Sequence, residues 1–308
     1  MTSRRHFLQT VALSSAAGFG ARSGLFGKEF SPQIAQVPEL AGKLGLVSAS
    51  LTKFIAAKPD PALGQFALLD FPKILRDELD LTVADLNTMN FPTLEPAYAE
   101  KLRAALDAAG CVGTNLKMNQ RVDFASADPA ARAEAMRAYK QSVDAAAILG
   151  LRWVRPLPRN DTPDADRLRA AFDELIDYAG ERGLTVLLEN FGWMMSDADS
   201  VVKLADTLGR DRVAVGPDTG NWKSNEIRYP GLAKTFPLAV TCDFKARPFG
   251  PGGEHPEYDI RRCFDLGWDA GFRGPWCFEH GDADRDRAFR GIARLRDWVR
   301  EWTRERSR

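Results

Sequence analysis

Two carboxylates in the stretch 184–222 each follow a short apolar run. Glu189 follows the run 184–188, Asp218 follows the run 212–217, and a segment of helical spacing, 199–208, lies between them. This pattern predicts strand, helix, strand, with an acid at the carboxyl end of each strand. Those ends open onto one face of a parallel sheet or barrel, where ligands bind and catalysis occurs. Such acids can bind a cation or move protons, or, as the plainer alternative, cap the next helix.

Two further acids end later apolar runs: Asp243 and Glu279. Four carboxylates that converge on one cavity cannot all stay ionised without a cation. We therefore predict one divalent metal ion held by Glu189, Asp218, Asp243 and Glu279. An all-oxygen set of ligands favours manganese or magnesium, or else calcium, over zinc.

Other polar or aromatic residues at predicted strand ends are candidates for substrate binding: Lys117, Arg155, Asn221, Trp222 and Lys245. For the basic residues the alternative is a structural one, because a cation can simply balance the acids at the barrel mouth. A tryptophan can stack on a sugar ring or can serve only as a cover over the barrel.

The elements that must position these residues form eight strand–helix units. The predicted strands begin near residues 43, 81, 111, 151, 184, 212, 238 and 274, and the predicted helices span 66–79, 95–109, 128–149, 164–182, 199–208, 258–270 and 282–306, with one sixth-unit helix left unplaced. Eight such units with short connections predict a single (β/α)₈ barrel over residues 40–308. A doubly wound open sheet is the alternative, but the first strand–helix turn lacks the glycine-rich phosphate fingerprint.

The N-terminus has a different character. Arg4-Arg5 precedes Phe7-Leu8 and a weakly apolar run of small residues, 11–21. This pattern resembles a twin-arginine export signal, so we assign residues 1–35 to a signal and lead and expect a periplasmic protein that engages the twin-arginine export machinery. The apolar run is too short for a stable membrane span, which needs about 20 residues. The formal net charge of zero does not favour nucleic acid binding, and a homo-oligomer is left open.

Four cysteines are present, at 111, 242, 263 and 277. An oxidising compartment permits disulfides but does not require them in a domain with a large core. The pair Cys242 and Cys263 is the one bridge considered, and four separate buried thiols are the favoured alternative.

The order of the acidic motifs resembles the xylose isomerase-like barrel superfamily of sugar isomerases and epimerases. The motifs are Leu188-Glu189-Asn190, Asp218-Thr-Gly-Asn221, an acid-x-Lys at 243–245, and Phe278-Glu279, one on each of four strands. The resemblance covers about residues 43–303. It implies one divalent metal on these four strands, with Glu189 and Glu279 also acting as the acid/base pair that removes and returns a proton beside a sugar carbonyl, through an enediolate.

The chain departs from the family pattern at Asp243, where many members have histidine. The chain has three histidines, and His6 lies in the predicted signal. If Asp243 replaces the usual imidazole, the site is harder and more anionic; if His255 or His280 enters instead, a mixed site is restored; and if neither does, the metal is weakly held or absent. The resemblance implies a metal-dependent isomerase or epimerase that acts on a small-molecule sugar or keto-sugar. The alternatives are a lyase or dehydratase on an oxidised (keto) glycoside, and a non-catalytic carbohydrate-binding barrel with a degenerate metal site.

Overall fold

The computed structural model describes residues 34–157, 159 and 161–308. Within these residues eight parallel strands form one sheet: β1 Leu44–Val47, β2 Val83–Asn87, β3 Val112–Met118, β4 Trp153–Pro156, β5 Thr185–Leu188, β6 Val213–Val215, β7 Cys242–Lys245 and β8 Trp276–Glu279. Residues 1–33 of the predicted signal and lead, including Arg4 and Arg5, lie outside the described residues. No helix of the described ranges is both long and apolar enough to cross a membrane.

A helix follows each strand: α1 Phe71–Asp77, α2 Pro96–Ala109, α3 Pro129–Ile148, α4 Ala165–Gly180, α5 Ser200–Leu208, α6 Asn225–Thr235, α7 Ile260–Asp269 and α8 Arg285–Arg306. Their ends follow local chemistry. Asp128 caps α3 by accepting a hydrogen bond from the Ala130 amide, and Pro129 occupies the first turn. Gly110 ends α2 with φ of +63°, a left-handed conformation that glycine adopts without steric cost.

The sheet closes into a barrel. Strands β1 to β6 pair in sequence order, and β8 pairs with both β1 and β7. The remaining seam, between β6 and β7, is held by backbone hydrogen bonds from Val240 to Val215 at 2.9 Å and from Asp243 to Pro217 at 3.0 Å. The predicted (β/α)₈ barrel is therefore confirmed.

Strand alternation divides the barrel interior into two layers. An apolar layer is formed by Leu40, Val47, Val83, Trp153, Leu187, Ala214, Val240 and Cys277, all buried. On several strands the residue two positions further on is polar, as with Asp85 after Val83 and Glu189 after Leu187. Side chains two positions apart on a strand point to the same side of the sheet. The polar residues therefore form a second layer inside the barrel, on top of the apolar layer and at the carboxyl ends of the strands.

Three predicted elements differ in extent from the structure. The first strand, predicted over 43–50, stops at Val47. The Ser48 hydroxyl accepts a hydrogen bond from the Asn87 amide and donates one to Asn90, and a 3₁₀ helix then covers Ser48–Leu51. The first helix is shorter than 66–79, since Phe66 pairs with Ile55 in an isolated bridge. The seventh strand begins at Cys242, after a 3₁₀ helix at Phe236–Leu238.

The four cysteines are all buried and all free. Cys242 packs in the outer core between sheet and helices, whereas Cys277 belongs to the apolar floor inside the barrel. The Cys242–Cys263 bridge does not form, and the prediction of four separate buried thiols is confirmed.

Candidate active site at the carboxyl end of the barrel

Three of the four predicted metal ligands meet in the polar layer. Glu189 directly follows β5, Asp218 follows β6 and Asp243 lies in β7, and each offers a carboxylate oxygen within 4.8 Å of the others. All three are buried, with exposures of 0–2%. The fourth, Glu279 at the end of β8, lies outside this group and is partly exposed, with its Oε1 2.6 Å from Lys245 Nζ. The structure thus brings three acids together and connects the fourth through a lysine.

Two buried bases, Lys117 and Arg155, contact the Glu189 carboxylate. Lys117 on β3 donates from Nζ to Glu189 Oε2 at 2.9 Å and also to Asp243 Oδ2. Arg155 on β4 lies with Nε 2.9 Å from the same Glu189 oxygen. Both bases were candidates for either substrate binding or charge balance, and in this structure they make ion pairs with the acids. Two buried nitrogens of Arg155, Nε and Nη1, make no hydrogen bond among the described residues, although Nε makes the ion pair with Glu189.

Lys245 and Asn221 complete the polar network. Lys245 Nζ lies 3.5 Å from Asp218 Oδ2 and 3.1 Å from Asn221 Oδ1. Asn221 Nδ2 in turn donates to Glu189 Oε1 at 3.2 Å. Both predicted substrate-contacting residues therefore lie at the acids, and Lys245, with 13% of its side chain exposed, is nearer to solvent than Lys117 with 2%.

Asn190 holds two strand ends together, a role that the sequence alone did not reveal. Its Nδ2 donates to the carbonyl oxygens of Asp218 at 2.9 Å and Asn221 at 2.8 Å, and its Oδ1 accepts from the Asp218 amide at 2.8 Å. Asp218 Oδ1 then accepts from the amides of Gly220 at 2.6 Å and Asn221 at 2.9 Å. The only indication of this role in the sequence is strand alternation, which turns the Asn190 side chain away from that of Glu189 and towards the neighbouring loop.

Asp85 and Asn115 form a second, weakly bonded pair on β2 and β3. Both of the Asp85 carboxylate oxygens lie 3.4 Å from Asn115 Nδ2, and both residues are fully buried. Asn115 Oδ1 has no hydrogen-bond partner among the residues described. The two residues are cross-strand neighbours in register, and they provide acceptor oxygens that the network around Glu189 leaves unused.

Burial and fixed charges set the ionisation of these groups in opposite directions. Burial raises the pKa of Asp85 and of Asp218 to about 6 and raises that of Asp243 well above its ordinary value, with nearby lysines only partly offsetting it. Burial also opposes ionisation of Glu189, but Arg155 and Lys117 outweigh it and lower the pKa to about 2. Glu189 is thus the firmly ionised member of the cluster.

Neither of the two described histidines, His255 and His280, enters the acid cluster. His255 accepts a hydrogen bond at Nε2 from the Arg247 amide at 2.9 Å, and His280 stacks on Phe249 with ring centroids 5.2 Å apart. His280 Nδ1 also lies 3.1 Å from the Ala246 carbonyl oxygen. Both rings therefore fix the loop after β7, and Asp243 remains the strand-seven residue at the site.

The two tryptophans that follow Glu189 and Asp218 in the sequence, Trp193 and Trp222, have different surroundings. Trp222 is 3% exposed and its ring packs directly against Gly231 of α6, so it belongs to the barrel wall and does not offer an open stacking face to a sugar. Trp193 instead lines a cavity of about 310 Å³ formed by loops after β3, β4 and β5, together with Phe124 and Arg159. Of these two tryptophans, Trp193 is the one that the structure places at an open cavity.

Comparison with known proteins agrees with this architecture. Residues 78–302 match the family described as xylose isomerase-like TIM barrel, and the chain belongs to that family. Over 248 residues it is 23% identical to L-ribulose-5-phosphate 3-epimerase UlaE of Salmonella paratyphi B, covering 75% of this chain and 84% of that protein.

Two solved structures share the fold. L-ribulose 3-epimerase superposes with a TM-score of 0.66 at 18% identity, covering 86% of this chain and 97% of the other. The 3-keto-D-glucoside 4-epimerase YcjR from E. coli does so with a TM-score of 0.63 at 14% identity, covering 84% of this chain and 99% of the other. All three proteins are sugar epimerases by name, which supports an isomerase-type enzyme.

Proposed function

We propose that this protein is an isomerase or epimerase that moves a proton beside the carbonyl group of a sugar or keto-sugar. The observation that carries the proposal is the meeting of Glu189, Asp218 and Asp243 at the carboxyl end of the barrel, with Glu279 joined to them through Lys245. Ligand chemistry in this fold takes place at that end. Membership of the xylose isomerase-like family and the names of the relatives support the same reaction class.

The donor set fits one divalent cation. Five carboxylates face three bases in the network, so full ionisation of the acids leaves an excess of two negative charges that a divalent cation would balance. The carboxylates are Asp85, Glu189, Asp218, Asp243 and Glu279, and the bases are Lys117, Arg155 and Lys245. We propose that Glu189, Asp218 and Asp243 hold the ion and that the hard oxygen ligands select manganese or magnesium over zinc. When bound, such an ion polarises a carbonyl and stabilises negative charge on its oxygen.

The two glutamates differ in what they can do with a proton. Glu279 has 22% of its side chain exposed, so a substrate can reach it, whereas Glu189 has 2% exposed. The low pKa of Glu189, about 2, makes it a weak base while Lys117 and Arg155 contact it. We therefore assign the first proton abstraction to Glu279, with Lys245 orienting its carboxylate. Glu189 returns a proton that it takes up from solvent once substrate has altered its contacts, and Glu279 releases its proton to solvent to complete the cycle.

The route of the returning proton determines the product. Return to the same carbon from the opposite face gives epimerisation, and transfer to the adjacent carbon gives isomerisation. The cavity that contains Trp193 and Arg159 is large enough, at about 310 Å³, to hold a sugar ring. We propose that it takes the part of the substrate that does not react.

Solvent deuterium exchange tests the proposal. Full-length protein with manganese is incubated in D₂O with L-ribulose, L-ribulose 5-phosphate and a 3-keto-glucoside, and the sugars are followed by NMR. Deuterium on the carbon beside the carbonyl, with an epimer or isomer formed, is the expected result. An unsaturated product with a released group would indicate a lyase instead. Sugar binding without any exchange would contradict the proposal and favour a binding barrel.

We also propose that the protein is exported to the periplasm by the twin-arginine route. The support is the arginine pair Arg4-Arg5 ahead of a weakly apolar run. This route carries folded proteins, which suits a chain that takes up a metal ion before export.

A further inference from the structure

The Lys117 side chain crosses the barrel interior from β3 to the acids of β5 and β7. Its ammonium contacts Glu189 Oε2 at 2.9 Å and also Asp243 Oδ2, and only 1% of the residue is exposed. Glu189 and Asp243 are two of the three residues proposed to hold the divalent ion. Lys117 therefore neutralises the carboxylates that the ion needs, and does not contact the third, Asp218, in any described hydrogen bond.

A second set of acceptors for this ammonium lies on the same wall of the barrel. Asn115 is two residues before Lys117 on β3, so both side chains face the interior. Asn115 Oδ1 is buried and has no partner within the described part of the chain. The carboxylate of Asp85, in register with Asn115, accepts two long hydrogen bonds of 3.4 Å from among the described residues, both from Asn115 Nδ2. A buried acceptor without a donor is costly, so these oxygens are suited to receive one.

We propose that Lys117 moves between these two sets of acceptors. Without metal, its ammonium lies on Glu189 and Asp243 and closes the site. When a divalent ion binds those carboxylates, the ammonium transfers to Asp85 and Asn115 Oδ1. Lys117 is thus a positioning residue that sets the affinity for the ion. This inference rests on the proposed metal-dependent function and adds the residue that regulates metal loading.

Calorimetric titration of manganese into metal-free, full-length protein tests the proposal. Lys117→Met should tighten the dissociation constant at least ten-fold, because the competing ammonium is gone. Asn115→Leu, which changes no charge, should weaken it several-fold, because the ammonium loses its second acceptor. Lys245→Met is the matched control: it removes a positive charge from the same network, but one that lies 3.5 Å from Asp218, so its effect should be clearly smaller than that of Lys117→Met.

The outcomes distinguish the role of Lys117 from the proposed metal-dependent function. Equal affinity in wild type and Lys117→Met, or equal tightening by Lys245→Met, overturns the role of Lys117 and leaves the metal site standing. No manganese binding by any folded variant, wild type included, overturns the metal-dependent function itself. If Lys117→Met does not fold without metal, Asn115→Leu decides: unchanged affinity in that variant refutes the transfer. A crystal structure with manganese should show Lys117 Nζ at Asp85, and an ammonium still on Asp243 would refute the transfer as well.

Discussion

Replacing Asp218 by asparagine is expected to make the metal-free protein more stable while it abolishes function. Asp218 is fully buried, and burial raises its pKa from 3.8 to about 6 despite attraction to Lys245. At pH 8 the folded protein must therefore carry an unfavourable charge at this position. Asparagine keeps an oxygen that can accept from the amides of Gly220 and Asn221. The substitution therefore removes the charge and retains both backbone hydrogen bonds, and it loses the long 3.5 Å contact of Oδ2 with Lys245 Nζ.

The size of the effect follows from the pKa difference. The gap between 3.8 and about 6 corresponds to about 3 kcal/mol in the free energy of unfolding at pH 8, at about 1.4 kcal/mol for each pKa unit. Because the folded-state pKa is raised, the favourable contribution is complete below pH 3.8 and is lost as the pH rises through about 6. The gain from Asp218→Asn should thus be about 3 kcal/mol at pH 8 and less than about 1 kcal/mol at pH 4.

Urea unfolding of chelator-treated protein at pH 8 and pH 4 measures this difference. Asp282→Asn is the matched control, because Arg287 lowers the pKa of Asp282 to about 2 and the sign of the effect is reversed. That variant should lose stability at pH 8. Manganese should stabilise wild type at pH 8 but not Asp218→Asn. An Asp218→Asn protein that is less stable than wild type at pH 8, or equally stabilised at both pH values, would refute the reasoning.

Three further predictions concern the other candidate residues. Glu279→Gln and Glu189→Gln should each lower the rate of proton exchange at least about 100-fold with unchanged circular dichroism, and near-normal rates in both would rule out the two-glutamate scheme. Asp243→His should keep or tighten metal affinity in calorimetry, whereas Asp243→Ala with full metal content would show that residue 243 is not a ligand. Changing Arg4 and Arg5 together to lysine should retain the protein in the cytoplasm in cell fractionation, and undiminished periplasmic protein would contradict the export proposal.

The sequence predicted the barrel because its signals are local. Apolar runs that end in acids, together with helix stops such as Gly110 and Gly150, mark eight units without knowledge of any distant contact. The errors of extent arose where side chains compete with the backbone ladder. Ser48 bonds to the chain around Asn87 and Asn90, 39 and 42 residues away, and so ends the first strand early.

The sequence predicted which residues lie at the site better than it predicted which of their side chains contact one another. Strand alternation places Glu189, Asp218 and Asp243 on one face, and the structure does bring them together. Strand alternation cannot show which carboxylate a long basic side chain will reach. The contact of Lys117 with Asp243, 126 residues away, could therefore not be predicted from the sequence. The position of Trp222 likewise depends on a close approach to Gly231 that no spacing rule reveals.

Elemental analysis of the purified full-length protein tests the central claim, a metal-dependent site of strand-end acids, most directly. Protein is dialysed with chelator, reconstituted with manganese or magnesium, freed of unbound ion and analysed beside Asp218→Asn. We expect about one divalent ion per chain in wild type, removed by chelator and absent from the variant. Reconstituted wild type without metal, or equal metal in both proteins, would contradict it.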